Sequence, residues 1–322
     1  MQTELRIAHD RPLSDALADA LAKMLDEARS QARRAVESPG PALHDYRRTI
    51  RRAQALVALT APTCRKHQRE LIEDGLAHAT RRTRTLRDLD AVLPVLTKLE
   101  AQAAEGDEAQ ALAALRRYLE AAGEELAGSE ICAWRLRKNV RSIAGLAEIF
   151  GAGLHGWVEL DMLRETLRDQ YRATRDAWRR ACRTEKKGDL HLWRKRARTL
   201  RYQLEALSSR VPEDESLANL YAAFTAQTKA LGQITDLLAL ISIVEDADPE
   251  LLGTNAERLA KWLDSLADAR AATAMVEAEE LFAVKPKSFA WPVEPAAEPT
   301  PEAPSDGPLT AVPDELVQQT DD

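Results

Sequence analysis

Leu190-His-Leu-Trp-Arg-Lys-Arg-Ala-Arg-Thr-Leu-Arg-Tyr202 has a near match 147 residues earlier, Leu43-His-Asp-Tyr-Arg-Arg-Thr-Ile-Arg-Arg52. Each stretch opens on a histidine, His44 or His191. Cations then follow three, four and seven residues later: Arg47, Arg48 and Arg51 in one, Arg194, Lys195 and Arg198 in the other. This is the spacing of a single helix face. At about 100° per residue, Arg47, Arg48, Arg51 and Arg52 lie between about −60° and +80° of His44, and Arg194, Lys195, Arg198, Arg201 and Tyr202 between about −80° and +40° of His191. Tyr46, Ile50, Ala53 and Val57 fall on the opposite side of the first helix, and Trp193, Ala197, Leu200, Leu204 and Leu207 on the opposite side of the second. Both stretches are therefore amphipathic helices with a cationic polar face.

A solvated helix face normally mixes signs, because opposite charges four residues apart add modest stability and like charges remove it. No acid lies between Arg47 and Arg52, or between His191 and Tyr202. Anion binding is the favoured reading, and pairing with acids from neighbouring helices is the competing one. Arg164, Arg168, Arg172, Arg175 and Arg179 form a third column, but Asp161, Glu165, Asp169 and Asp176 are interspersed, so both readings stand there. Arg81, Arg82, Arg84 and Arg87 add positive charge just before Asp88. Arginine predominates in these columns. Its guanidinium offers five donors in a rigid fork suited to phosphate oxygens. A doubled column of such forks points to a long polyanion rather than a small substrate.

The 322 residues are enough for one large or two modest domains, with 45% hydrophobic and only 5% aromatic residues. Abundant Ala, Leu, Arg and Glu favours packed helices over sheets. Taken alone, the net charge of −7 opposes a polyanionic partner. However, eight acids and two lysines from Ala283 onward account for −6 of it, and local potential decides what a surface attracts. Cys64, Cys132 and Cys182 show no paired spacing, the chain does not open on a basic start and apolar run, and nothing reaches bilayer length; a reduced, cytoplasmic protein is expected.

Eight of the fifteen prolines lie between Pro286 and Pro313, among Ala, Glu, Thr and Ser, so residues 284–322 read as a disordered acidic tail. Everything before them reads as helix. Helices are expected from an N-cap at Ser14 to about Glu37, then through His44 to near Thr60. Others cover Thr63 to Arg84, a segment holding Asp88, Asp90 and Pro94, and roughly 108–126 and 130–149. After the glycines at 151–156 the order restarts with helices over 157–184, through His191, from Pro212 to about Val244, and over 255–281. Arg87-Asp-Leu-Asp-Ala-Val-Leu93 recurs as Thr235-Asp-Leu-Leu-Ala-Leu-Ile241, shifted by 148. Two landmarks at nearly one offset indicate an internal duplication. The expected fold is all-α, two pseudo-symmetric antiparallel helical bundles over 1–153 and 154–283, with the cationic columns lining a shared surface.

At these residues the chain resembles the CHAD family, the conserved-histidine α-helical domain. His191, Arg194, Arg198, Arg201 and Tyr202 match its second-copy signature of His, Arg at +3, a cation at +7, Arg at +10 and Tyr at +11. His44, Arg47, Arg51 and Arg52 match its first-copy signature, with Gln54 where an arginine is frequent. Arg87-Asp88-Leu89-Asp90-Ala91 and Leu231-Gly232-Gln233-Ile234-Thr235-Asp236 match two further stretches, the former with alanine for valine. The resemblance spans roughly residues 12–283. It implies two pseudo-symmetric helical bundles whose basic central surface binds inorganic polyphosphate, and association with polyphosphate granules in cells.

The resulting expectation is a non-enzymatic polyphosphate-binding protein that uses no cofactor. Arg47, Arg48, Arg51, Arg52, Arg81, Arg87, Arg194, Lys195, Arg198 and Arg201 are expected to contact phosphate, with His44, His191 and Tyr202 adding hydrogen bonds. Asp88, Asp90 and Asp236 are expected behind the arginines, fixing each guanidinium so that its other edge faces the ligand. Helix N-capping is the plainer role for Asp88 or Asp90. A metal site on the histidines would need nearby second ligands, which the sequence spacing does not supply. No Gly-rich phosphate loop or nucleophile motif supports catalysis, though an accessory, metal-dependent role in triphosphate metabolism is one alternative. Generic nucleic-acid binding is another; the cationic faces lack interleaved aromatics for base stacking.

Overall fold

Leu13, Leu17, Ala20, Leu21, Met24, Ala28, Ala32 and Ala35 recur at three- and four-residue spacing and are all buried in the first helix, α1 (Leu13–Glu37). The structure is a computed structural model that describes residues 5–103, 107–127, 129–211, 215–246 and 255–289, with backbone alone described at 39, 84–91, 107, 124, 126–127, 255 and 288. The acidic tail expected over 284–322 lies outside the described residues from 290 onward. Among the described residues ten more helices follow α1: α2 (Pro39–Leu59), α3 (Lys66–Arg82), α4 (Arg84–Glu100), α5 (Asp107–Ala127), α6 (Glu130–Ser142), α7 (Leu146–Gly153), α8 (Leu160–Thr184), α9 (Lys187–Arg210), α10 (Glu215–Asp246) and α11 (Asn255–Leu281). The protein is all-α as expected; the described residues hold no strand, only an isolated bridge between Cys64 and Leu154.

Helix boundaries recur at the offset of the sequence motifs. α1 and α8 are displaced by 147 residues at both ends, and α5 and α11 start 148 apart. α10 is one continuous helix where the corresponding span of the first half is broken at Thr83 into α3 and α4. α1 packs along α2, α8 along α9, and α2 against α9. At that last contact the Gln203 amide donates to the carbonyl of Ala55 at 3.3 Å, 148 residues away in the chain. This contact is one residue out of register with the 147-residue offset of the two motifs, so the helices cross close to matching positions.

The apolar cores cut across the two sequence halves. One core gathers residues from α1–α3 and α6–α9 together with the first half of α10 and the last turns of α11. The second joins Val92, Leu96 and Leu99 of α4 and Leu112, Leu115 and Leu119 of α5 to Leu237, Leu240, Ile241 and Val244 of α10 and Leu259 and Leu263 of α11. At about 1.5 Å per residue, the 32-residue α10 is long enough to serve both. The described residues thus belong to one compact unit.

Several local expectations are corrected. Pro12, not Ser14, precedes the first turn of α1. Asp88 and Asp90 lie inside α4, so neither is an N-cap; Thr83 holds that position. Pro94 sits in the interior of α4, at the cost of a helical hydrogen bond. The helix expected over 130–149 is divided by Gly145, whose φ of +80° is accessible to glycine and strained for other residues. α7 then packs closely on α3: a Cβ added at Gly153 would stand 2.8 Å from the Cβ of Gln68 and 3.0 Å from the sulfur of Cys64. Gly153→Ala is expected to lower stability by about 1–3 kcal/mol in urea denaturation. Gly123→Ala on α5, where an added Cβ meets nothing within 4 Å, is the control and should not destabilise.

Candidate functional site

The apolar sides of α2 and α9 are buried, with Tyr46, Ile50, Ala53 and Val57 on one and Trp193, Ala197, Leu200 and Leu204 on the other. This burial fixes the rotation of both helices and decides where their cations point. His44, Arg47 and Arg51 of α2 and Arg194 of α9 line a cleft of about 430 Å³. Lys98 of α4 and Arg270 of α11 complete its cationic lining, and Pro94, Val95 and Leu99 provide apolar wall. Five full cations thus converge on a space in which Asp236 of α10 is the one carboxylate among the described lining residues.

Two of these arginines are held from behind. Arg47 is buried and donates to the Thr80 carbonyl at 3.2 Å and to Thr83 Oγ1 at 2.6 Å, at the break between α3 and α4. Arg194 Nη2 lies 3.9 Å from Asp236 Oδ1, near the outer limit of an ion pair. A Cβ at Gly232 would stand 3.5 Å from the same nitrogen, so the glycine gives this guanidinium room to lie against α10. A carboxylate on one edge of a guanidinium orients it and leaves its remaining donors to face a ligand. Among the described residues Lys98 and Arg270 have no ionic partner.

The other expected site residues lie elsewhere. Arg52, expected to contact phosphate, is buried and forms two hydrogen bonds to Glu205 of α9, Nε–Oε2 at 3.1 Å and Nη2–Oε1 at 2.5 Å. Tyr202 is also buried, its ring 5.5 Å from the Arg52 guanidinium and 4.4 Å from that of Arg201, and it is not in the cleft lining. Arg48 pairs with Asp45 at 2.7 Å. His191 and Lys195 are exposed and Arg198 and Arg201 half-buried along α9, outside the cleft lining, and Arg81 is exposed at the end of α3. The side chains of Arg87, Asp88 and Asp90 lie outside the described residues. Among the described residues no group of three or more His, Cys, Asp or Glu side chains is placed to hold a metal.

The third column, on α8, is occupied in packing. Arg164 and Arg172 pair with Asp161 and Asp169 at 2.5 and 2.6 Å. Arg175 donates to the Phe282 carbonyl at 2.9 Å and Arg168 to that of Phe289 at 3.4 Å, tying the segment after α11 to this helix. Lys98 and Arg270 had no signal in the sequence: neither has another cation three or four residues away on its helix, and only the fold brings it to the others.

The family model described as the CHAD domain matches residues 15–245. Among solved structures, the chain is similar to the crystal structure of the CHAD domain from the plant Ricinus communis, with a TM-score of 0.66 and 17% identity over 88% of this chain and 96% of that one. Comparison with curated proteins gave no significant match. No helix among the described residues is long and apolar enough to cross a membrane.

The assignment of Arg52 to the core has a measurable consequence. Arg52→Met is expected to cost about 3–5 kcal/mol by leaving the Glu205 carboxylate buried without its partner. The double substitution with Glu205→Leu should recover most of that loss in chemical denaturation. A small cost for the single substitution would place Arg52 outside the core.

Proposed function

Because this chain belongs to the CHAD domain family, we propose that it binds inorganic polyphosphate, without chemical conversion, in the cleft between α2, α4, α9, α10 and α11. The observation that carries this reading is the convergence of Arg47, Arg51, Lys98, Arg194 and Arg270 on one cleft, with one carboxylate among its described lining residues. A polyphosphate chain presents anionic tetrahedral groups at every repeat, so each guanidinium fork meets a similar partner wherever the chain lies. The described lining contains no Phe, Tyr or Trp, the platforms on which single-stranded nucleic acids stack their bases. That favours a polyanion without bases. His44 is exposed at the rim, where approaching phosphate would favour its protonated form. In a cell such binding would place the protein at polyphosphate granules.

The test is a titration of the protein with long-chain polyphosphate and with single- and double-stranded DNA at equal phosphate concentration, at two salt concentrations, with and without chelator. Chelator-insensitive binding to polyphosphate, weaker binding to DNA and a steep fall with salt are expected, by analogy with counterion release from nucleic acids. Arg51→Ala and Arg194→Ala should each weaken polyphosphate binding by about tenfold or more, the scale of a lost charge-assisted contact. Equal affinity for all three polymers would reduce the cleft to a generic basic surface. Loss of binding on chelation would point instead to a metal-dependent site.

A further inference from the structure

The end of α3 joins the cleft wall at Arg47 to α6. Thr80 faces α2, where it accepts from Gln54 as well as from Arg47. Two residues on, Arg82 faces α6, donating to Asn139 Oδ1 at 3.1 Å and Ser142 Oγ at 3.0 Å. Arg81 stands between them and is exposed. Beyond it, the solvent side of α6 presents Arg137, Lys138 and Arg141, all exposed, while Cys132, Leu136 and Asn139 form its buried side. At about 100° per residue the three cations fall within roughly 100° of arc. Among the described residues none of the three is in an ion pair, and Glu130 is the one acid on the helix.

From this arrangement we infer that α6 is a second phosphate-binding segment, engaged only by chains long enough to leave the cleft and pass over Arg81. The inference rests on the polyphosphate reading and deepens it: it makes chain length a determinant of affinity, with α6 supplying the added contacts. An anionic lipid surface is the rival occupant, because Ile131 and Trp134 are exposed on the same helix. It is disfavoured because the Lys138 ammonium lies over the Trp134 ring at 4.8 Å, leaving Ile131 as the main apolar contact, whereas interfacial helices present a broad apolar face.

The experiment compares the wild-type chain, Arg194→Ala, and the triple variant Arg137→Ala/Lys138→Ala/Arg141→Ala. Each is titrated with tetrapolyphosphate and with polyphosphate of about a hundred units, and tested for sedimentation with vesicles of phosphatidylserine and phosphatidylcholine. The triple variant should bind the short oligomer like wild type, bind the long chain about tenfold more weakly, and show a shallower salt dependence for the long chain alone. Unchanged long-chain affinity would overturn the proposal and leave the three cations as partners of the helix dipole. Equal weakening for both lengths would also overturn it, since α6 would then act through the cleft or the fold. So would unchanged long-chain affinity combined with loss of vesicle binding, which would give the face to lipid. If Arg194→Ala binds both lengths normally, the cleft reading itself fails, whatever α6 does.

Discussion

A guanidinium removed from water must have a partner, and at the crossing of α2 and α9 that partner is Glu205. Arg52 and Glu205 are both buried, and the carboxylate also accepts from the backbone amide of Leu5 at 3.3 Å. Tyr202 fills the remaining space beside the pair. Such a pair adds little net stability over an apolar substitute, because the desolvation of both ions offsets their attraction. It does constrain the packing, since any arrangement that buries one charge without the other is strongly disfavoured. The two cationic helices are therefore held together near Ala55 and Gln203, while the turns carrying His44, Arg47, Arg51 and Arg194 reach α4, α10 and α11.

Arg47 and Arg194 occupy the same place in the two motifs and are both held against the same part of the fold, by different means. In the first half that part is the break between α3 and α4, which supplies a carbonyl and a threonine hydroxyl to a buried Arg47. In the second half α10 runs on without a break, its backbone acceptors remain in helical hydrogen bonds, and Asp236 takes their place.

The all-α architecture and the limits of α2, α5, α10 and α11 were legible because apolar periodicity and helix breakers are local properties. The division of α6 from α7 was not, since one glycine within a helical pattern is compatible with either continuation or a left-handed turn. Helical azimuth separates the cationic from the apolar side of α2 and α9, yet Arg47, Arg52 and Tyr202 within the cationic arcs are buried. Azimuth alone says nothing of what stands opposite. Arg52 falls within the same arc as Arg51, yet one faces the cleft and the other faces Glu205, 153 residues away. The acids that pair with these columns, Asp45 and Glu205, lie just outside the acid-free windows that made the columns conspicuous. On α8 a comparable arc of arginines meets backbone carbonyls and its own helix's aspartates. Lys98 and Arg270 show the reverse: without a column of their own, they reach the cleft because α4 and α11 share an apolar core.

The chain carries a net charge of −7, and a polyanion approaching from far away meets that sum only weakly. At physiological ionic strength the field of exposed charges decays over about 8 Å, so charges beyond the cleft rim contribute little to what happens inside it. Within the cleft the balance is reversed. Pro94, Val95 and Leu99 form a low-dielectric wall beside Lys98 and opposite the arginines, which strengthens their field and excludes part of the screening solvent. Five cations held in this setting attract anions at short range however acidic the rest of the surface is. Because these five cations stand on four helices, α2, α4, α9 and α11, an anion charged at several points would meet more of them than one charged at a single point.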